Sequence, residues 1–168
     1  VALGFFVQIF FHIFVLAGQM IAMQMGLGFA SMVDPTNGVS VAVVSQFYVI
    51  LVTLLFLAFN GHLVTIEVMV ESFRFLPVGD GGVSSSAIQS VFLSGVWMFA
   101  SAFLLALPAV SAILIVNLAF GVMTRAAPQL NIFSLGFPFT LVFGIFILWV
   151  ALAGFLPQYQ NLSEQLFD

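Results

Sequence analysis

Apolar residues fill almost the whole chain and are interrupted by a few short polar segments. The charged residues leave four uncharged runs of 33, 32, 44 and 38 residues. Each run is longer than the roughly 20 residues that an apolar α-helix needs to span the hydrocarbon core of a bilayer. The pattern therefore predicts an all-α, membrane-associated protein.

The polar segments predict where the helices end. Asp34-Pro35-Thr36-Asn37-Gly38 combines the residue types that favour turns, and residues 80–86 are rich in glycine and serine. We therefore expect two tandem, long, kinked helical hairpins. Their predicted bounds are 1–79 for the first hairpin with a loop near 29–38, 80–86 for the linker, 87–157 for the second hairpin with its tip at 125–131, and 158–168 for a polar tail.

Breaks are also predicted inside the helical segments. Asn60-Gly61 interrupts an apolar stretch and predicts a helix bend there. Pro108 has no polar loop residues on either side, so we expect one long kinked helix rather than two short spans. The last helix is predicted to run from near Pro138 toward Pro157.

The predicted helices are too long for simple membrane spans. A helix of 33 to 38 residues measures about 50 to 57 Å, whereas the hydrocarbon core is about 30 Å thick. Such helices are either broken and tilted, or they extend beyond the bilayer and are covered by neighbouring subunits. Gln8, His12 and Gln19 favour the second alternative, because unpaired polar groups facing lipid are unfavourable.

Composition excludes several classes of protein. Charged residues make up 5% of the chain, hydrophobic residues 63%, and the mean hydropathy is +1.29, which is incompatible with a water-soluble globule. A net charge of -4 argues against nucleic-acid binding. Without cysteine, the chain has no disulfides, thiolate nucleophiles or cysteine-built zinc sites. We therefore expect no enzyme activity and no cofactor.

Four of the seven methionines lie within thirteen residues, at Met20, Met23, Met25 and Met32. Methionine is flexible and polarizable, so such a group can fill gaps in a helix bundle or form a deformable seal. Both interpretations stay open from spacing alone. The charged turn at Asp34-Pro35 favours the seal, because a charged turn between two apolar helices needs an aqueous environment.

Glu67, Glu71 and Arg74 form a charged strip at positions i, i+4 and i+7 of one predicted helix face. Glu71 and Arg74 are spaced to form an ion pair. The strip could line an aqueous path or contact another subunit, and an ordinary solvated helix face is an equally good interpretation. The histidines, His12 and His62, are isolated from other metal ligands, and we expect His62 to cap the bend at Asn60-Gly61.

Several motifs in order resemble the FliR family of flagellar and type III secretion export-gate proteins. They are Gln24-Met25-Gly26-Leu27-Gly28-Phe29-Ala30 with Val33-Asp34-Pro35, Phe59-Asn60-Gly61-His62, Ser72-Phe73 with Leu76-Pro77, and Arg125-Ala126-Ala127-Pro128-Gln129-Leu130-Asn131-Ile132-Phe133 with Gly136-Phe137-Pro138. The resemblance covers nearly the whole sequence. Family members begin with further apolar helices that this sequence does not include.

The resemblance implies a non-enzymatic subunit of the flagellar export gate in the bacterial inner membrane, at the flagellar basal body. It implies a FliP-like unit followed by a FliQ-like hairpin, with FliP-like, FliQ-like, FlhB-like and FlhA-like partners, membrane lipid, and unfolded export substrates. The loop after the Gln-Met-Gly-Leu motif would plug the central path. The implied residues are Met25, Phe29, Met32, Asp34 and Pro35 for the plug, and Arg125, Pro128, Gln129, Asn131 and Phe133 for partner docking at the second hairpin's tip.

Two other classes of function remain as alternatives. A multi-span transporter subunit for small molecules or ions would have spans of about 20 residues and a polar binding residue at mid-membrane. The long apolar runs argue against it. An intramembrane enzyme would need a nucleophile or metal-ligand set, and the sequence shows no such constellation.

Overall fold

Helices make up nearly all of the protein that the structure, a computed structural model, describes. The description covers residues 2–27, 42–75, 85–126 and 136–167, and within these ranges no residue lies in a β-strand. The all-α fold predicted from the sequence is confirmed. The described helices are α1 (Ala2–Gln24), α2 (Val43–Ala58), α3 (Gly61–Phe75), α4 (Ser85–Ala126) and α5 (Phe137–Phe167).

Three of these helices are long and apolar enough to cross a membrane. The qualifying segments are Leu3–Gln24 of α1, Gln89–Arg125 of α4 and Phe137–Leu166 of α5. Helices α2 and α3 together would form a fourth, although the chain bends by 68° between them. Helix α4 has 42 residues and is therefore about 63 Å long, roughly twice the thickness of a hydrocarbon core.

Helix α1 is the centre of the described bundle. It packs against α4, α2 and α5, and 44% of the residues in its most apolar window are buried, compared with 22% in α4 and 17% in α5. Because α1 packs on α4 at least as extensively as on α2, the division into two separate hairpin units stays a prediction. The buried core contains Phe10, Ile13, Phe14, Ala17, Ile21, Ala22, Met25, Val44, Tyr48, Val52, Ala102, Ala106, Ala109, Ile113, Phe155 and Tyr159.

Helix α5 runs antiparallel to α1. The rings of Phe10 and Tyr159 meet edge to face at 5.7 Å, which places the end of α5 beside the first half of α1. At the other end, Met25 packs against Gly144 in the first part of α5. Aromatic pairs of this kind stabilise a fold by about 0.5 to 1.5 kcal/mol each beyond their buried area, so they hold the two helices in register.

Helix α4 runs in the same direction as α1. Asn117, in its second half, donates a hydrogen bond of 3.2 Å from Nδ2 to the carbonyl oxygen of Gln24 at the end of α1. Trp97, in its first half, donates a 2.9 Å bond from Nε1 to Oε1 of Gln165 near the end of α5. The helix ends that precede residues 28–41 and 127–135 therefore lie at the same end of the bundle.

The break between α2 and α3 lies at Asn60 and Gly61. Asn60 has φ of 57°, a left-handed conformation that asparagine tolerates better than most residues. Its carbonyl oxygen accepts a 2.8 Å hydrogen bond from the N–H of Leu63, which starts α3. A Cβ atom on Gly61 would lie 2.5 Å from the ring of Phe56, so a larger residue at this position would force that ring to move.

Neither His12 nor His62 belongs to a group of potential metal ligands among the described residues. His62 Nδ1 is buried and has no hydrogen-bond partner among the described residues, so a capping role for His62 stays a prediction. The Asn60 carbonyl oxygen accepts hydrogen bonds from the N–H groups of Leu63 and Val64 at the start of α3. His12 Nδ1 donates to the Gln8 carbonyl oxygen at 2.8 Å within α1. No group of three or more His, Asp or Glu in the described ranges could hold a metal ion.

Two helix boundaries differ from the sequence-based prediction. Helix α4 begins at Ser85, inside the predicted linker 80–86, and α5 continues through Pro157 to Phe167, into the predicted tail 158–168. Proline removes one backbone hydrogen bond. The carbonyl left unbonded belongs to Ala153, which is exposed, while Tyr159 beyond the proline is buried in the core. Tertiary packing therefore extends α5 past the proline.

Candidate functional site

Helix α1 ends in a Schellman motif. Leu27 N–H donates to the Ala22 carbonyl oxygen and Gly26 N–H to that of Met23, both at 3.0 Å. Gly26 has φ of 85°, the left-handed conformation that this motif needs and that glycine adopts without strain. The local sequence therefore stops α1 at a defined residue and directs the chain into residues 28–41.

This end of α1 is fixed to two other helices. Asn117 of α4 bonds the Gln24 carbonyl, which would otherwise be one of the unpaired acceptors at a helix end. Met25 is 2% exposed, and a Cβ atom on Gly144 of α5 would lie 2.6 Å from its Cγ and Cε. A Cβ atom on Gly26 would lie 3.0 Å from the Phe137 ring. We call Gln24–Leu27 with these contacts the loop base.

One residue predicted for the plug, Met25, belongs to the loop base. Met25 lies inside the bundle against α5, which is the packing expected of a gap-filling methionine. Met23, two residues earlier, is 71% exposed and is the methionine at this end whose thioether is free to contact other molecules. The remaining plug residues lie outside the described part of the chain; they are Phe29, Met32, Asp34 and Pro35.

Helix α2, which follows residues 28–41 in the sequence, crosses α1 closely. Ser45 of α2 is fully buried, and its Oγ donates a 2.9 Å hydrogen bond to the Val15 carbonyl oxygen of α1. A Cβ atom on Gly18 would lie 2.6 Å from the Ser45 Cα. Because both α1 and α2 are fixed this way, residues 28–41 join two helices whose positions are set by the bundle.

The charged strip on α3 is solvent-accessible in this bundle. Glu67, Glu71 and Arg74 are all exposed, and within the described residues Glu71 and Arg74 form no ion pair. Thr65 and Val68, on another face of the same helix, line a small groove with Leu3 near the start of α1. The strip thus lies toward the end of the bundle opposite the loop base.

One residue of the predicted docking tip is described. Arg125 is exposed in the last turn of α4, where a cation interacts favourably with the helix dipole. The other predicted tip residues are outside the described ranges; they are Pro128, Gln129, Asn131 and Phe133. Since α4 continues beyond Asn117, Arg125 lies at the same end of the bundle as the loop base.

One face of α1 is left uncovered by the other described helices, and it carries polar residues beside the exposed apolar side chains of Phe5 and Met23. Gln8, His12 and Gln19 follow at intervals of four and seven residues, so they share one helix face. Gln8 and His12 are exposed and Gln19 is half-buried. We call these three residues the polar face of α1. Their spacing was present in the sequence, but only the packing of α1 shows that this is the face that stays open.

The rest of the bundle surface is different. Helices α2 to α5 expose large apolar side chains along most of their length, among them Phe92 at 75%, Ile115 at 68% and Trp149 at 69%. An exposed apolar surface of this kind contacts lipid or other subunits. The polar residues on the open face of α1 are therefore exceptions within an otherwise apolar exposed surface.

Comparison with known proteins supports an export role for the family. A model described as "Bacterial export proteins, family 1" matches residues 1–166. The flagellar biosynthetic protein FliR of Pectobacterium carotovorum subsp. carotovorum is 41% identical, and that of Escherichia coli (strain K12) is 39% identical, both over all 168 residues. FliR of Aquifex aeolicus (strain VF5) is 33% identical over 98% of the chain and 63% of its own length. The chain spans 64% of the length of the first two relatives.

Proposed function

Because the chain belongs to the bacterial export proteins, family 1, we propose that it is a non-enzymatic subunit of the flagellar protein-export gate in the bacterial inner membrane. The observation that carries the proposal is the family match over residues 1–166. The long helices described within this range are apolar enough to cross a membrane. The similarity to flagellar biosynthetic proteins favours the flagellum over an injectisome.

The exposed apolar surface supports assembly with other membrane subunits. Helix α4 is about 63 Å long, so part of it extends beyond a hydrocarbon core of about 30 Å. Apolar residues on that part would face water unless another protein covers them. FliP-like and FliQ-like subunits are the proposed cover, with FlhB-like and FlhA-like proteins at the ends of the bundle and lipid around the rest.

Residues 29–38 are the proposed plug of the export path. The loop base fixes the end of α1 through Asn117, Gly144 and Phe137, and the Gly18–Ser45 crossing fixes α2. The proposed plug therefore follows and precedes helices whose positions the bundle sets. Phe29 and Met32 supply the apolar side chains of the seal, and Asp34-Pro35 its turn.

Arg125 and the following residues are the proposed docking tip for an FlhB-like partner. The exposed guanidinium at the end of α4 is suited to a partner carboxylate, because arginine binds carboxylates through two parallel hydrogen bonds. The charged strip of Glu67, Glu71 and Arg74 is proposed as a second contact, toward the opposite end of the bundle.

Co-purification tests the proposal. The full-length protein, tagged and extracted in a mild detergent, is expected to bring down FliP-like and FliQ-like subunits that mass spectrometry identifies. A tagged unrelated inner-membrane protein of similar hydropathy is the control for non-specific apolar association. Recovery of a lone homo-oligomer would contradict the gate proposal and favour the transporter alternative.

A further inference from the structure

A polar groove lies between α4 and α5, toward the end of the bundle opposite the loop base. It has a volume of about 190 Å³, and the residues that line it include Ser101, Leu104, Leu105, Gln158, Asn161 and Gln165. We infer that this groove binds the headgroup of a zwitterionic phospholipid that carries a primary ammonium group. Such a site is independent of the proposed export role.

Ser101 supplies a buried hydroxyl that the bundle itself does not use. The residue is 9% exposed and forms no hydrogen bond with the residues that the structure describes. Ser94 and Ser111, on the same helix, each donate to the carbonyl oxygen three residues earlier. A buried hydroxyl without a partner is unfavourable, so an acceptor bound in the groove would stabilise Ser101.

A chain of hydrogen bonds orients the amides on the opposite wall. Trp97 Nε1 donates to Oε1 of Gln165, and Gln165 Nε2 donates to Oδ1 of Asn161, both at 2.9 Å. This direction leaves the Nδ2 donors of Asn161 without a partner among the described residues. Gln158, one turn earlier, adds a second unpaired amide. The groove therefore presents N–H and O–H donors, which suit the oxygens of a phosphate.

The groove lies at the level expected for lipid headgroups. The apolar part of α5, from Phe137 to Leu156, has about 20 residues and is about 30 Å long, which matches the hydrocarbon core. Gln158 and the polar residues after it then lie at the surface of the bilayer. Trp97 is of a residue type enriched there. Leu104 is 67% exposed on the hydrocarbon side of the groove, where an acyl chain would run.

Charge selects among the phospholipids. In the described parts of α4 and α5 the one basic residue is Arg125, at the opposite end of the bundle, so an anionic headgroup finds no cation at the groove. Glu164 is exposed one turn after Asn161, and its carboxylate attracts an ammonium. A primary ammonium also donates hydrogen bonds, which a quaternary ammonium cannot. Phosphatidylethanolamine combines a phosphate with such an ammonium.

Native mass spectrometry of the full-length protein in a mild detergent tests the site. Phosphatidylethanolamine, phosphatidylglycerol or phosphatidylcholine with identical acyl chains is added, and the fraction of protein carrying one lipid is measured. Wild type is expected to favour phosphatidylethanolamine. Asn161→Leu and Ser101→Ala are each expected to weaken its binding about tenfold, because each removes a hydrogen bond to a charged group. The matched controls, Gln160→Leu and Ser111→Ala, change exposed residues outside the groove and are expected to bind as wild type does.

Glu164→Gln separates the two halves of the headgroup. This variant is expected to lose the preference for phosphatidylethanolamine over phosphatidylcholine while still binding phosphatidylcholine. Equal binding of the three lipids by wild type, or equal binding of phosphatidylethanolamine by Asn161→Leu, Ser101→Ala and their controls, would overturn the inferred site. If Asn161→Leu does not accumulate, Ser101→Ala gives the same comparison. Lipid binding and co-purification with export proteins are separate measurements, so the lipid site and the proposed function fail separately.

Discussion

Replacing Gly18 with alanine is expected to separate α1 from α2 and to lower the free energy of unfolding by about 1 to 3 kcal/mol. The added Cβ would lie 2.6 Å from Cα and 2.8 Å from N of Ser45, and backbone atoms cannot rotate away as a side chain can. The hydrogen bond from Ser45 Oγ to the Val15 carbonyl would lengthen as the helices part. Thermal or denaturant unfolding of the detergent-purified protein measures the effect.

Gly121→Ala is the matched control for this substitution. Gly121 is exposed in α4, and among the described residues no atom would lie within 4 Å of an added Cβ. Alanine is a better helix former than glycine by up to about 1 kcal/mol, so the control is expected to be neutral or slightly stabilising. Equal stability of the two variants would show that the crossing at Gly18 does not hold α1 against α2.

Deleting Phe29 to Gly38 is expected to make the inner membrane leak ions and to slow growth. The deletion removes the apolar side chains proposed to seal the path, while Gly28 and residues 39–41 still connect α1 to α2. A path wide enough for an extended chain passes hydrated ions when it is not blocked. Ion flux in cells that express the full-length variant measures the leak, and Phe29→Ser combined with Met32→Ser is expected to reproduce part of it.

Shortening of residues 81–84 controls for loop deletion as such. The flanking helix ends belong to α3 and α4. The groove that Thr65 shares with Leu3 and the hydrogen bond from Trp97 to Gln165 place these helices' nearby parts at the end of the bundle opposite the loop base. This control is expected to leave ion flux unchanged. A membrane that stays tight after deletion of Phe29 to Gly38 would remove the basis for the plug proposal.

The helical elements were largely predictable because hydropathy dominates this sequence. The absence of polar loop residues around Pro108 predicted a single helix, and α4 is continuous from Ser85 to Ala126. The Asn60-Gly61 pair predicted a break, and the helices end and begin there. Local chemistry decides both features, since a turn within apolar surroundings needs residues that satisfy its backbone polar groups.

Features that depend on packing between distant residues were not predictable. Proline at 157 suggested the end of a helix, but burial of Tyr159 against Phe10 and the bond from Trp97 to Gln165 carry α5 further. Met25 and Met23 look equivalent in the sequence, yet one is buried under Gly144 and the other is 71% exposed. Periodicity places residues on helix faces but does not show which face a neighbouring helix covers.

Crosslinking to an export substrate tests whether this chain forms part of a path for unfolded polypeptide. A photo-crosslinking residue is placed in the full-length protein at Met23, beside the loop base, or at Ile115 on the apolar surface of α4, positions with exposures of 71% and 68%. A flagellar substrate fused to a domain that resists unfolding is stalled during export. Substrate crosslinks are expected from Met23 and not from Ile115, whereas no crosslink from Met23, or equal crosslinks from both, would show that exported polypeptide does not pass beside the loop base.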